Sequence, residues 1–223
     1  NNFSNSTFFK NIYSFEPANI YSFNLKDKFL QKESYWDINI KDDKLNFNKT
    51  KNKNYLKKLL VKSVKRNLIA DVKVGTHLSS GIDSSLITKI ASTINNKIPT
   101  FSAGFNIKNV SKEDKTLNEL NEIKRNLSLF NTDHNQIIID YFDIEKNIDK
   151  VVSILETPLM GQSYPNFILS KFISKKVSVC LSGIGADEFF FGYPWRYRYF
   201  TKDFIKNYYE VWQRIFKDTE KDK

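Results

Sequence analysis

Several residue types are scarce in this 223-residue chain, and each shortage excludes a class of protein. A single cysteine, Cys180, excludes an intrachain disulfide and a cysteine-based zinc cluster, and it is expected to be a small buried residue of an apolar strand. The two histidines, His77 and His134, are far apart in the sequence; lone histidines do not make a metal site, so both are interpreted as structural. No apolar run approaches the roughly 20 residues of a membrane span, and no signal peptide is visible. A cytoplasmic protein with no membrane association is expected.

Acidic residues are also in the minority. The chain has 35 Lys and Arg against 25 Asp and Glu, a formal net charge of +10. Such an excess raises the question of nucleic-acid binding. Lysine supplies 30 of the 35 basic residues, however, and the lysines are scattered rather than gathered in a stripe. Phosphate recognition usually recruits arginine. A compositional bias toward Lys and Asn explains the charge better, and no nucleic-acid partner is expected.

Hydrophobic and aromatic residues are plentiful, at 40% and 15% of the chain, so a folded core is expected. Three regions can be separated. Residues 1–50 are irregular and polar, with strand-like alternation at 13–15 and 20–25 around Pro17. Residues 51–200 carry regular elements, and residues 201–223 form a further helix with no visible partner. The chain is expected to be a piece of a longer protein.

The middle region alternates between helical and strand patterns. Strands separated by helices favour an α/β fold, here a Rossmann-like parallel sheet with helices on both faces. In such sheets, ligands bind beyond the carboxyl ends of the strands. The predicted helices are 52–70, 84–95, 111–130, 143–155 and 164–175, and the predicted strands are 73–79, 99–105, 136–140 and 177–181.

The first loop of interest is Ser79–Ser85, Ser-Ser-Gly-Ile-Asp-Ser-Ser, between a predicted strand and a predicted helix. Small residues let the backbone approach an anion, and N–H groups at a helix start together with serine hydroxyls can hold a pyrophosphate. The Asp83 carboxylate would repel phosphate unless it held Mg²⁺ that bridges the phosphates. The pattern is not a Walker A loop, because no Lys follows Gly81. The alternative is an ordinary strand–helix turn with serine caps.

The second loop follows the last predicted strand and runs from Leu181 to Tyr193. Gly183 and Gly185 free the backbone at the strand end, and Asp187 and Glu188 follow. An acidic pair opposite a phosphate loop makes sense if Asp83 and Asp187 clamp Mg²⁺ on a departing pyrophosphate. The alternative is a glycine turn leading into a helix whose first-turn acids complement the helix dipole.

The first loop resembles the PP-loop of N-type ATP pyrophosphatases, whose usual form is Ser-Gly-Gly-x-Asp-Ser-Ser. Six of seven positions match, with Ser80 in place of the first glycine. Taken with the second loop, the chain resembles the synthetase domain of the glutamine-dependent asparagine synthetase family, which includes β-lactam synthetases. The usual second motif there is Leu-Ser-Gly-Glu-Gly-Ala/Ser-Asp-Glu-x-Phe-x-Gly-Tyr. Further matching stretches lie at 8–12, 35–37, 70–75, 100–105, 132–134 and 156–158.

The resemblance implies a fold of the adenine nucleotide alpha hydrolase-like type and a division of the chain. Residues 1–50 would be the end of a glutaminase domain and a linker, 51–200 the PP-loop synthetase domain, and 201–223 the start of a truncated helical region. The implied substrates are ATP, aspartate or another carboxylate, and ammonia from a glutaminase domain. Mg²⁺ is the implied metal, and the full-length protein is a possible homodimer. The products would be asparagine, AMP and pyrophosphate.

The resemblance also implies roles for particular residues. Main chain near the first loop would hold adenosine, the loop itself the phosphates, and the second loop would border the acyl-adenylate. The implied residues are Leu78, Ser102 and Ala103 for adenosine, Ser79, Ser80, Gly81, Ser84 and Ser85 for phosphate, Asp83 and Asp187 as catalytic Mg²⁺ ligands, and Ser182 and Gly183 at the intermediate.

One departure bears on the substrate. Ile184 stands where asparagine synthetases usually carry Glu, and an isoleucine cannot move protons or pair with ammonia. A related amidotransferase acting on another carboxylate, such as a surface-polysaccharide sugar acid, therefore stays open, as does a PP-loop enzyme of tRNA modification. Because the glutaminase cysteine and the later helical region are absent from this sequence, the piece alone is expected to be inactive or at most to bind ATP.

Overall fold

The computed structural model describes residues 5–38, 48–106, 119–156 and 162–193. These residues form two compact units. The first unit comprises the residues up to Leu59 together with Phe142–Phe167, and the second comprises Leu60–Tyr141 together with the residues from Ile168 onward. The strands are β1 (Asn19–Asn24), β2 (Phe29–Ser34), β3 (Val74–His77), β4 (Ile98–Phe105), β5 (Thr132–Ile139) and β6 (Val179–Leu181). The helices are α1 (Lys49–Asn67), α2 (Ile82–Ile94), α3 (Leu120–Asn126), α4 (Tyr141–Leu155), α5 (Ser163–Ile173) and α6 (Ala186–Phe190), with a 3-10 turn at Leu127–Leu129.

The second unit is built on a four-stranded, all-parallel sheet in the order β5-β4-β3-β6. β4 is buried along most of its length, as expected of a strand covered on both faces. The predicted fold class is confirmed. From β3 the chain winds outward through β4 to β5, and it then returns to place β6 on the other side of β3. The direction of winding therefore reverses between β3 and β6, which makes that gap the topological switch point of the sheet.

Two apolar clusters fill the opposite faces of this sheet. On one face Ile98 and Leu181 pack against Val64 of α1 and against Ile90 and Ala91 of α2. On the other face, the neighbouring strand positions point toward α5, as alternation along a strand requires. The residues of that second cluster are Phe101, Ala103, Ile137, Cys180, Leu169, Phe172, Ile173 and Val177. The sheet thus has helices on both faces.

The predicted strand at 136–140 begins earlier than expected, at Thr132. β5 pairs with β4 along its whole length, from Ile98 opposite Thr132 to Phe105 opposite Ile139. Its first half is polar, Thr-Asp-His-Asn, and a search for apolar residues therefore did not detect it. Polar residues are accommodated because β5 lies at the edge of the described sheet, and because the His134 Nδ1 is 3.0 Å from the buried Thr100 Oγ1. His134 is a structural residue of the sheet, as expected.

Of the two predicted strands around Pro17, the one at 20–25 is confirmed as β1, and the one at 13–15 is not formed. β1 pairs instead with β2, in antiparallel register from Asn19 opposite Ser34 to Asn24 opposite Phe29. The turn between them is fixed by Asn24, whose Oδ1 accepts the Lys26 N–H at 2.9 Å and whose amide nitrogen donates to Asp27 at 2.8 Å. The bond from the Lys26 N–H to the Asn24 side chain is typical of such turns, and the second bond joins two side chains.

The remaining described elements agree with the predictions to within a few residues. The predicted helix at 111–130 is present as α3 and the 3-10 turn, and residues 107–118 lie outside the described residues, as does the predicted helix at 201–223. Among the described residues, no helix has the length and apolar character that crossing a membrane requires.

Candidate functional site

The two loops singled out in the sequence follow β3 and β6, the strands that flank the switch point. Ser79–Ser85 leaves β3 and runs into α2, and residues 182–193 follow β6. β3 and β6 are paired directly, with Thr76 opposite Leu181. Because the strands are parallel, their carboxyl ends lie side by side, and both loops emerge at the same edge of the sheet.

Serine side chains hold the first loop in shape. The Ser84 Oγ, 8% of whose residue surface is exposed, accepts the Ser79 N–H at 3.0 Å and lies 2.7 Å from the Ser79 Oγ. The Ser79 Oγ in turn accepts the Gly81 N–H at 3.2 Å. The Ser85 Oγ donates to the Ser79 carbonyl at 3.4 Å. These bonds curl the loop so that it enters α2 at Gly81, the residue preceding the helix. No side chain caps α2 at Gly81, so these serines shape the loop itself and do not act as helix caps.

The second loop lies directly against the first at Gly183. A Cβ atom at this position would stand 2.8 Å from the Ser84 amide nitrogen and 2.9 Å from the Asp83 Cβ. Only a glycine tolerates backbone this close. Ser182 precedes this contact, and its Oγ accepts the Ile184 N–H at 3.2 Å. The structure therefore brings Ser182 and Gly183 to the start of α2, next to Asp83 and Ser84.

The two aspartates are the first-turn acids of α2 and α6, respectively. Asp83 lies at the contact with Gly183, and the Asp187 carboxylate lies over Gly192, whose N–H donates to the Asp187 carbonyl at 3.0 Å. Glu188 accepts a hydrogen bond from the Tyr193 hydroxyl at 2.7 Å. In the described part of the chain, no group of three or more His, Cys, Asp or Glu is placed to hold a metal. Mg²⁺ in nucleotide sites is held by one or two carboxylates and by phosphate oxygens, so each aspartate has the chemistry that such a ligand needs.

The residues implied for adenosine gather next to the first loop. The Leu78 N–H donates to the Phe101 carbonyl at 2.8 Å, and the buried Ser102 Oγ donates to the Leu78 carbonyl. Ser102 and Leu78 are thereby adjacent. The Ala103 side chain points to the opposite face of the sheet, into the cluster with Phe101, so only its main chain is available on the loop side.

His77 and Cys180 are packing residues near the strand ends. Burial lowers the pKa of the half-buried His77, which ends β3. Burial raises the pKa of the Cys180 thiol to about 12, so this thiol keeps its proton at neutral pH. His77 is a structural residue, as expected, whereas Cys180 packs in the cluster with Phe101 but is partly rather than fully buried.

One residue at the loop was not anticipated. The Glu119 carboxylate accepts a hydrogen bond from the Ser80 N–H at 2.8 Å. Glu119 directly precedes α3 and belongs to no motif, so only the tertiary contact between α3 and the end of β3 brings it here.

These features define an α/β domain with a candidate anion site at the switch point of a parallel sheet. The first loop, Ser79–Ser85, is called the serine loop below, and the second loop, residues 182–193, is called the glycine loop. Comparison with known proteins assigns the domain to a family. Residues 55–217 match the family model described as asparagine synthase. The chain belongs to the asparagine synthase family, as the resemblance of the two loops predicted.

Individual relatives agree with this assignment. A putative asparagine synthetase [glutamine-hydrolyzing] 2 of Methanocaldococcus jannaschii is 33% identical over 201 residues, which are 89% of this chain and 37% of that protein. Asparagine synthetase [glutamine-hydrolyzing] 1 of Bacillus subtilis is 33% identical over 59% of this chain and 20% of its own length. The third B. subtilis asparagine synthetase of this type is 29% identical over 84% of this chain and 31% of its own length. The chain thus spans between one fifth and two fifths of the relatives it matches.

Proposed function

We propose that this chain is the ATP-binding and adenylating part of a glutamine-dependent, AMP-forming carbon–nitrogen ligase, with aspartate as the leading acceptor. The observation that carries the proposal is the contact of Gly183 with Asp83 and Ser84, which joins the two loops into one surface. Family membership supports the use of ATP, because the relatives are asparagine synthetases. The names of those relatives also support glutamine as the source of ammonia.

In this proposal the main chain at Leu78, Ser102 and Ala103 holds adenosine. The triphosphate lies on the serine loop, where N–H groups at the start of α2 and the serine hydroxyls face it. The residues proposed to bind phosphate are Ser79, Ser80, Gly81, Ser84 and Ser85. Asp83 and Asp187 would hold Mg²⁺, which neutralises charge on the leaving pyrophosphate.

The chemistry has two steps. A carboxylate oxygen of the acceptor attacks the α-phosphorus of ATP; the bond from that phosphorus to the oxygen bridging to the β-phosphate breaks, and pyrophosphate leaves. Ammonia then attacks the acyl carbon, AMP departs with the bonding electron pair, and the amide loses a proton to solvent or a base. Ser182 and Gly183 border the acyl-adenylate. The preorganised donors of the first loop act where negative charge develops on the pyrophosphate, which is the largest contribution such a site can make.

A second acceptor is favoured by one observation. Ile184 is 89% exposed and directly follows the loop contact at Gly183. An apolar side chain at that place cannot accept a proton from ammonia or pair with a substrate ammonium. A ligase of the same type that acts on a different carboxylic acid, such as a sugar acid, therefore remains the alternative proposal.

The exchange of labelled pyrophosphate into ATP tests both the reaction and the acceptor. The proposal expects exchange that requires Mg²⁺ and a carboxylic acid, in the full-length protein that contains this chain. Aspartate is compared with other amino acids and with sugar acids, and the acid that supports exchange identifies the acceptor. Asp83→Asn is expected to abolish exchange, whereas Asp71→Asn, the same change at an exposed position before β3, is expected to retain it. Failure to bind Mg·ATP would overturn the proposal.

A further inference from the structure

A carboxylate side chain of the protein itself is hydrogen-bonded to the serine loop. The Ser80 N–H, in the middle of the loop, donates to the Glu119 Oε2 at 2.8 Å, across 39 positions of sequence. A carboxylate bonded to a backbone N–H is the same kind of contact that a phosphate oxygen makes in a loop of this type. The side chain therefore stands where the proposed function places a phosphate.

Packing on the neighbouring helix holds Glu119 in this position. Its carbonyl accepts the Ile123 N–H at 3.0 Å, in the first turn of α3. Leu120 and Ile123 are buried and pack against Leu78, the residue that leads into the loop. The apolar contact that seats α3 at the end of β3 thus also sets the carboxylate against the loop.

The other N–H groups at the front of the loop are bonded within the loop. The Ser79 N–H donates to the Ser84 Oγ at 3.0 Å, and the Gly81 N–H donates to the Ser79 Oγ at 3.2 Å. The Ser79 hydroxyl can turn its proton toward an arriving phosphate while it keeps accepting the Gly81 N–H. A carboxylate has no proton to donate at neutral pH, so at Ser80 an arriving phosphate and Glu119 compete for one donor.

We propose that Glu119 is an internal occupant of the phosphate loop, which the triphosphate of ATP must displace in order to bind. The inference rests on the proposed function, since it takes ATP as the ligand of this loop. Two negative groups within a few ångströms repel one another, and the repulsion weakens with salt because Ser80 is exposed. Glu119 accordingly lowers the affinity of the empty site for phosphate-bearing ligands and keeps the loop N–H satisfied in their absence.

Calorimetric titration with Mg·ATP and with inorganic pyrophosphate tests the inference on the full chain. Glu119→Gln removes the charge and keeps the side-chain shape. It is expected to bind both ligands about fivefold more tightly than the wild type at low salt, the size expected of an exposed charge interaction. The gain is expected to shrink at high salt. The control, Glu122→Gln, makes the same charge change on the exposed side of α3 and is expected to leave both affinities unchanged.

The outcomes distinguish two roles of Glu119: occupying the phosphate-binding N–H, or only holding the loop in shape. If Glu119 only holds the loop in shape, Glu119→Gln and Glu119→Ala will bind both ligands as weakly as the wild type or more weakly, and the inference is overturned. Adenosine, which lacks phosphate, is expected to bind equally to wild type and variant; a gain for adenosine as large as that for ATP also counts against it. If neither wild type nor variant binds a phosphate ligand, the proposed function itself fails. If both proteins bind phosphate ligands and Glu119→Gln binds them no more tightly, the inference about Glu119 is overturned and the proposed function stands.

Discussion

Gly183 and Ser84 touch through their backbones. A Cβ atom on Gly183 would lie 2.8 Å from the Ser84 nitrogen, and that nitrogen belongs to the first turn of α2. Neither partner can rotate away, since both are main chain or atoms attached to it. The distance between the serine loop and the glycine loop is therefore set by the absence of one methyl group.

Gly183→Ala tests this relationship. The added carbon would be 2.9 Å from the Asp83 Cβ as well, so the loops must separate, at a cost of about 1–3 kcal/mol for overpacking. We expect the affinity for Mg·ATP to fall about tenfold or more, measured by calorimetry. Gly185→Ala is the control: its φ of 99° makes an alanine strained, but nothing lies within 4 Å, so the loops should stay together. Wild-type affinity in a folded Gly183→Ala protein would contradict the prediction.

Ser84→Ala and Ser85→Ala are expected to differ in stability. The buried Ser84 hydroxyl accepts the Ser79 N–H at 3.0 Å, so its removal leaves a donor unpaired, at a cost of about 1–3 kcal/mol. The Ser85 hydroxyl makes one long bond of 3.4 Å, and its loss should cost less than about 0.5 kcal/mol. Urea denaturation gives both free energies of unfolding. Equal values for the two variants would show that the Ser84 bonds do not order the loop.

Cys180 predicts a loss of stability at high pH. Burial raises the pKa of its thiol from 9.0 to about 12 in the folded protein. The folded state then keeps its proton at pH values where the unfolded chain has lost it. The stabilisation from this group is complete below pH 9 and is lost as the pH rises toward 12. Urea midpoints between pH 8 and 10.5 should fall more steeply for the wild type than for Cys180→Ala. Parallel slopes would refute the assignment.

The two histidines predict a loss of stability in mild acid. Burial lowers the pKa of both His77 and His134 below 6.5, with the nearby Asp133 partly opposing the shift at His134. The unfolded chain therefore binds more protons just below pH 6.5. The stabilisation is complete above pH 6.5 and is lost as the pH falls through the folded-state pKa values. Titration of the imidazole protons by NMR should give midpoints below 6.5 for both residues. Midpoints at or above 6.5 would mean that these rings are more hydrated than the packing indicates.

The sequence was most informative where local patterns decide the structure. β3, β4 and β6 are short strands that lie between clearly helical segments, so their existence and order along the chain were predictable. The start of β5 was not, because Asp133, His134 and Asn135 make its first half polar, and the compensating contact to Thr100 is tertiary. The hairpin was missed because the aromatic alternation around Tyr13 and Phe15 resembled a strand more strongly than the Asn24 turn did.

The candidate site divides in the same way. The two loops carry their chemistry in consecutive residues, so Ser79–Ser85 and the Gly183–Asp187 stretch are recognisable from the order of residues alone. Gly183 contacts Asp83 and Ser84 because the chain returns to pair β6 with β3. That pairing is known only from the strand order of the folded sheet, so the contact could not be predicted. Glu119 gave no signal, because its place depends on how Leu120 and Ile123 pack under Leu78.

The direct pairing of β3 with β6 also bears on how the molecule is made. This contact joins Val74 to Val179, so it closes a loop of about 100 residues, an entropically late event in folding. During synthesis β3 emerges early and has one unpaired edge until β6 arrives, and such an edge invites pairing with another chain. The pairing of β6 with β3 then completes the sheet and brings the glycine loop against the serine loop in the same step. A nascent or nicked chain that ends before Val179 would have the serine loop without its partner and an open strand edge, which makes it prone to aggregate.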